Sequence, residues 1–236
     1  MLSRLQPYVV GIVVALLVRP VFAQDPSPTL VKKTVTIQAQ TASLSEYLLT
    51  VFRGANIRGG ISVVSEHCPE AAEEMPEFSG EVEGVLKRLV STGHPLQWFQ
   101  IGDNLIVLNT PSPPPILTVE VREFRFSRKE PLTKSASGLF DTPEVATRVR
   151  DLGLVEYGPQ LGFAALHQPG TPADMVVLRN TKVLDALNGI GGGDAVWLYK
   201  ESKCQRNVFS LKIGPFGDDQ VQVGLVVICD LSPVTR

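Results

Sequence analysis

The chain has 236 residues, of which 44% are hydrophobic, and this is enough to bury one large core or two small ones. Its formal net charge is −2. Nucleic-acid binding requires lysine and arginine side chains clustered on one surface, so this charge balance argues against a nucleic-acid partner.

The first 23 residues have the pattern of a secretory signal peptide. Arg4 precedes a short apolar run over residues 8–18, and a cleavage site follows between Ala23 and Gln24. A membrane anchor is the alternative, but the run is shorter than the roughly 20 apolar residues that span a bilayer, and Arg19 interrupts it. We therefore expect an exported protein of the periplasm or cell envelope.

Residues 24–33 are polar and predict a flexible tail, so we expect ordered structure to begin at residue 34. Ser43 and Glu46 have the spacing of a capping box at a helix start. Residues 102–104 carry a hairpin turn signal. In chain order, the pattern predicts a strand over 34–39, a helix from 43, a strand over 61–64, a helix over 82–89, and strands over 96–101 and 105–108.

A proline-rich stretch over 110–116 predicts a linker between two domains, 34–109 and 117–231, with a tail over 232–236. In the second domain, the secondary-structure pattern is weak between residues 127 and 170, except that Thr142 marks a helix start. In chain order, the pattern predicts a strand from 117 to 126, the helix after 142, a strand over 175–178, a helix over 183–190, a strand over 195–199, and a hairpin of 208–213 with 221–228.

Export makes the three cysteines interpretable, because disulfide bonds persist outside the cytosol. Folding the predicted hairpin about residues 214–219 places Cys204 opposite Cys229, and we predict a disulfide bond between them. Cys68 then remains alone beside His67. A loop thiol is favoured there over a metal ligand, since no second ligand stands at a recognisable spacing.

Consecutive glycines at 191–193 suggest a phosphate-binding loop or a helix stop. A phosphate loop of the nucleotide type follows a strand and opens a helix. Here the helical spacing of Val183, Leu187 and Ile190 comes before the glycines, and the strand pattern comes after them. The order predicts a helix stop and no nucleotide site.

Catalytic and metal-binding patterns are weak in this sequence. His67, His94 and His167 lie in predicted loops without the spacing of a metal-binding helix. An acidic run lacks the alternating ligands of a calcium loop and predicts a solvated loop; its members are Glu70, Glu73, Glu74 and Glu77. We predict no catalytic residue, no metal site and no cofactor.

Residues 34–109 resemble the short N-terminal domain of secretins and TonB-dependent receptors. The resemblance rests mostly on core positions: the strand Val35-Thr36-Ile37, Ser43-Leu44 with Tyr47-Leu48, Phe78-Ser79-Gly80 before Val82, Val85-Leu86 and Leu89, Thr92-Gly93 before Leu96, and Gly102-Asp103 before Leu105-Ile106-Val107. It implies a mixed α+β fold of βαβ-type units, each with two helices packed against small sheets.

The second half is similar to a divergent copy of the same domain, as found after the first copy in some exported bacterial proteins. With a slip of one residue at the start, the corresponding positions are Phe78, Val82, Leu86, Leu89 and Trp98 in the first half and Leu178, Val183, Leu187, Ile190 and Trp197 in the second. The helix and strand order around these residues also agrees. The sequence therefore predicts two related small domains.

Function in the resembling domains is protein recognition in the periplasm, which implies a non-enzymatic binding or docking module with an envelope protein as its partner. Strand addition at residues 31–39 or 221–229 is one physical route. Two alternatives stay open. One is a hydrolase whose site combines His167 with Asp141 or Glu156, and the other is a structural component of an envelope assembly.

Overall fold

A computed structural model describes residues 29–67, 69–156, 174–192, 195–203 and 207–215. The chain has a mixed α+β fold, as the sequence predicts. The helices are α1 (Leu44–Gly54), α2 (Val82–Ser91), α3 (Leu132–Phe140), α4 (Pro143–Asp151) and α5 (Val183–Gly191). Among the described residues, no helix is both long and apolar enough to cross a membrane.

The strands form one large sheet and three two-stranded ribbons in the described part of the chain. They are β1 (Thr34–Ile37), β2 (Gln40–Ser43), β3 (Gly59–Ser65), β4 (Ala72–Met75), β5 (Phe78–Glu81), β6 (Gln97–Ile101), β7 (Asn104–Leu108), β8 (Glu120–Ser127), β9 (Val155–Glu156), β10 (Met175–Lys182), β11 (Ala195–Lys203) and β12 (Asn207–Pro215).

The central sheet has the strand order β6-β7-β3-β11-β12-β9 and draws on both halves of the sequence. Strand β3 is parallel both to β7 and to β11. The predicted division into two domains is not confirmed, because strands from either side of residues 110–116 share this sheet. The described residues of the second half also form three helices, whereas two were expected.

Hydrophobic cores lie on both faces of the sheet. Strand β11 shows the alternation most clearly, since Val196 and Leu198 belong to the first core and Trp197 and Tyr199 to the second. Helices α1 and α2 lie between one face and the ribbon β1–β5, and α3 and α5 lie between the other face and the ribbon β8–β10. The result is five layers: ribbon, helices, sheet, helices, ribbon.

Helix α1 begins with the predicted capping box. The Ser43 hydroxyl accepts a hydrogen bond from the Glu46 backbone N–H at 3.4 Å, and the Glu46 carboxylate accepts one from the Ser43 N–H at 3.2 Å. Two of the N–H groups that lack helical partners are thereby satisfied. The buried face of α1 then includes Tyr47, Leu48 and Phe52.

Helix α5 ends at the consecutive glycines, as predicted. Its last residue is Gly191, and Gly192 follows in the left-handed conformation with φ of 62°, which glycine adopts without steric cost. Strand β11 begins at Ala195. Gly191 and Gly192 therefore lie at the negative end of a helix dipole, a position that disfavours phosphate.

The proline-rich stretch is not an exposed spacer along its whole length. Pro114, Ile116 and Leu117 are buried, and β8 begins at Glu120 instead of residue 117. The reason lies in helix α5: the Leu184 N–H donates to the Leu117 carbonyl at 3.0 Å, and Val183 N–H donates in the same way to residue 119. Carbonyl groups that cap a helix start are not free to pair with a strand.

Other elements also differ from the predictions. Ordered structure begins before residue 34, because part of the predicted flexible tail forms a short 3₁₀-helix, Thr29–Lys32, in which Val31 is buried. Part of the predicted acidic loop is strand β4, which pairs with β2 and leaves its glutamates exposed. The strand predicted over 208–213 is present as β12, but it pairs with β11. Its predicted partner, residues 221–228, lies outside the described residues.

Candidate protein-binding edge of the sheet

Several predicted site residues lie outside the described part of the chain. These are Ala23 and Gln24 of the cleavage site, Cys204 and Cys229 of the predicted disulfide bond, and Cys68. The candidate edge at 221–229 lies outside it as well. These assignments stay predictions.

The two described histidines have different surroundings. His67 is exposed, and the His94 imidazole lies 3.7 Å from the Glu73 carboxylate. Asp141 follows the last turn of α3, while His167 lies outside the described residues, so the hydrolase alternative stays a prediction. No group of three or more His, Cys, Asp or Glu side chains in the described ranges could hold a metal ion.

The two halves of the chain repeat one strand-pairing pattern. Ribbon β1–β5 corresponds to β8–β10, and both are antiparallel. Hairpin β6–β7 corresponds to β11–β12, and the parallel pair β3–β7 corresponds to β9–β12. Each half therefore has a three-stranded sheet in the same order, β6-β7-β3 or β11-β12-β9.

The helix ends that lead into β3 and β9 support the same correspondence. Ile57 N–H donates to the Phe52 carbonyl at 2.8 Å after α1, and Leu154 N–H donates to the Val149 carbonyl at 2.9 Å after α4. In each case the residue just before the donor has positive φ, 50° at Asn56 and 62° at Gly153. The spacing and the six-residue hydrogen bond are those of one helix-termination motif.

Trp98 and Trp197 occupy corresponding positions in the two halves of the chain. Helices α2 and α5 both begin at a buried valine that directly follows a strand of the ribbon. Trp98 then lies in the first strand of one hairpin and Trp197 in the first strand of the other. Trp98 packs on the core of the first half and Trp197 on that of the second, so they occupy equivalent places.

The two three-stranded sheets meet where β3 pairs with β11. This parallel pairing runs over seven residue pairs, and Trp197 lies directly across from Gly60. A Cβ atom at position 60 would overlap the indole ring, so only glycine fits beneath it. Trp197 is 1% exposed, and its ring N–H donates to the Asn188 side-chain oxygen at 2.8 Å.

Strand β6 is the counterpart of β11, yet no described strand lies on its outer side. Trp98 is only half-buried there, and Ile101 is 36% exposed. Natural edge strands commonly carry charged residues or proline, which discourage pairing with another chain. Strand β6 reads QWFQI and carries neither. Its outer side is therefore a pairing edge without the usual protection, and we call it the β6 edge.

The other predicted edge, residues 31–39, contains a strand, β1, that is shorter than β6. Strand β1 has four residues and pairs with β5, and Val31 is buried before it begins. An open cleft of about 440 Å³ lies beside this ribbon and is lined by Thr36, Ile37, Gln38, Glu77, Phe78, Ser79 and Arg88. The Arg88 guanidinium donates to the Glu77 carbonyl at 3.2 Å, so the cation of the cleft is already engaged.

One nearly buried ion pair links the two halves of the chain. The Glu70 carboxylate, 7% exposed, lies 2.8 Å from the Lys200 ammonium on β11. It also accepts hydrogen bonds from the Ser45 hydroxyl at 2.6 Å and the Ser45 N–H at 3.0 Å, at the start of α1. These contacts hold the first turn of α1 against β11, and with it the relative position of the two halves.

The sequence did not identify the β6 edge as a candidate site. The hairpin and its tryptophan were predicted, but the order of strands in a sheet depends on contacts between distant residues. The available signal was the match of Trp98 with Trp197, together with Gly59-Gly60 at the start of β3. Comparison of the chain with known protein families, curated protein sequences and solved structures finds no match.

Proposed function

We propose that this chain is an exported, non-enzymatic protein-binding module of the bacterial envelope, and that it binds an extended segment of a partner protein along the β6 edge. One observation carries the proposal: β11 is paired with β3, while its counterpart β6 has no described strand at the same position. Strand addition is an established way for a sheet edge to recognise a peptide.

The β6 edge offers both parts of such an interaction. Its main-chain groups would form about four hydrogen bonds with an added strand, each contributing roughly 1 kcal/mol net. Trp98 and Ile101 supply apolar surface that the added strand would cover. Specific binding then depends on which side chains fit beside the indole.

Export and an envelope location rest on the signal-peptide pattern and on the resemblance of residues 34–109. The ribbon β1–β5, the helices α1 and α2, and the sheet β6-β7-β3 have the arrangement that this resemblance implies, with two helices between small sheets. This arrangement supports the resemblance and, with it, a role in protein recognition.

Site-specific crosslinking in the native cell tests the proposal. A photoreactive amino acid at Gln97 on β6 should give an adduct with one envelope protein, whereas the same group at Val90 on α2, which is 43% exposed, should not. The Trp98→Ala substitution should abolish the adduct. Equal adducts from both positions, or none from Gln97, would contradict the proposal.

The two alternative functions, a structural assembly component and a hydrolase, predict different experimental results. Adducts made only of this chain would favour a structural assembly component. Turnover of ester, peptide or glycan substrates that is lost in a His167→Ala variant would favour the hydrolase.

A further inference from the structure

On the basis of the proposed function, we infer that the partner segment runs parallel to β6, places a glycine against Trp98, and is uncharged along its centre. The chain contains a template for this complex in the pairing of β3 with β11. This template determines the direction and composition of the partner strand, which an open edge alone does not.

The direction of the partner strand follows from the template. Strand β3 is parallel to β11, and β11 is antiparallel to the other strand of its hairpin, β12. Strand β6 stands in the same antiparallel relation to β7. If a partner strand pairs with β6 in the way that β3 pairs with β11, it therefore runs parallel to β6.

The glycine follows from the packing at the template. The Trp197 indole occupies the space above Gly60, where any side chain would overlap it. Trp98 has the equivalent position and is half-buried, and no described strand lies on the outer side of β6. A glycine in the partner would allow the main chain to approach the indole as closely as Gly60 does.

The neutral centre follows from the charges at the edge. Strand β6 contains no ionisable side chain, and the nearest charge beyond it, Asp103, is paired with Arg58. A charged residue at the centre of the partner strand would lose water without gaining a partner of opposite charge. The β3 sequence, GGISVVS, has the required composition.

A second copy of this chain is a poorer occupant. Its own counterpart of β3 is β9, and the matching helix ends align Ile57 with Leu154. Strand β9 has two residues, Val155 and Glu156, so it carries an acidic side chain and no glycine. It does not match the neutral, glycine-containing strand that the template requires, so we assign the β6 edge to a different protein.

A synthetic peptide with the sequence of residues 58–65 tests the inference on the full protein. We expect it to bind and to shift the emission of Trp98, and we expect the same peptide with G60L to bind at least 10-fold more weakly. A Trp98→Ala protein should bind neither peptide. A spin label at the peptide N-terminus should broaden NMR signals near Gln97, and one at the C-terminus should broaden those near Ile101.

The outcomes separate this inference from the proposed function. No binding at millimolar peptide, equal binding of the G60L peptide, or the reversed label pattern would overturn the inference, even where the Gln97 crosslink succeeds. Concentration-dependent dimers that Trp98→Ala abolishes would assign the edge to a second copy and overturn it too. Failure of the Gln97 crosslink would instead overturn the proposed function itself.

Discussion

Trp197 and Gly60 lie directly across from each other where the two halves of the chain share a sheet, and the indole occupies the space that a side chain at position 60 would need. One residue belongs to each half. Their contact therefore determines how closely β3 and β11 approach.

We expect Gly60→Ala to destabilise the protein by about 3 kcal/mol, because the added methyl group forces the indole or the strand to move in a packed core. Gly214→Ala is the matched control, since position 214 lies in β12 of the same sheet and has open space around it. Urea denaturation followed by circular dichroism measures both. Equal midpoints for the two variants would show that the contact is not tight.

The capping box of α1 gives a second prediction. Ser43→Ala removes the acceptor for the Glu46 N–H and should lower the free energy of unfolding by about 1 kcal/mol. Thr50→Ala is the control, because the exposed Thr50 hydroxyl lies later on the same helix and bonds only to the carbonyl one turn earlier. A larger loss for Thr50→Ala than for Ser43→Ala would contradict the assigned helix start.

A third prediction concerns the ion pair between Glu70 and Lys200. Lys200→Met leaves a nearly buried carboxylate without its cation and should destabilise the protein by about 2 kcal/mol. The double variant with Glu70→Gln should lose less than the sum of the single variants, because the two groups interact directly. Additive losses in the double-mutant cycle would indicate that the pair does not couple the halves.

The exposed pair of Lys203 and Glu66 provides the control for this cycle. Its side chains are 50% and 69% exposed, and solvent screens their attraction. We therefore expect little or no coupling between these two side chains.

A fourth prediction concerns pH. Hydrogen bonds from the Lys32 and Lys87 ammonium groups lower the pKa of Glu83 from its ordinary value of 4.5 to about 2. Because the folded-state pKa is the lower one, the stabilisation is complete above pH 4.5 and is lost as the pH falls towards 2. The difference in Tm between the wild type and Glu83→Gln should therefore shrink over this range.

Glu74→Gln is the control for the pH series, since Glu74 is exposed on β4. Any change in Tm that both variants show is not due to the contacts of Glu83 with Lys32 and Lys87. An NMR titration that places the pKa of Glu83 near 4.5 would contradict the prediction directly.

The sequence patterns correctly predicted the structural elements that depend on residues close together in the chain. The capping box at Ser43 and Glu46, the turn between β6 and β7, and the glycines after α5 each act within a few residues. Strand β4 was missed because its exposed glutamates conceal its alternation, and its pairing with β2 spans a helix and a strand.

The candidate site depended on information that local patterns do not contain. The place of β3 between β7 and β11 is determined by contacts such as Trp197 with Gly60, which no periodicity in the sequence reports. The open β6 edge is recognised by comparing the hairpins β6–β7 and β11–β12 in three dimensions, because β11 has a neighbour, β3, at the place where β6 has no described strand. Two tryptophans in equivalent positions, one buried and one half-buried, then distinguished β11, which has a strand on each side, from β6, which has a described strand on one side only.

The central position of β3 also has a consequence for synthesis. The ribbon β1–β5, the helices α1 and α2, and the pairing of β3 with β7 all use residues up to 108. The other neighbour of β3 is made only when residues 195–203 emerge. Until then, the strand that ends in the middle of the finished sheet is an outer strand, and its exposed main chain is able to pair with other chains.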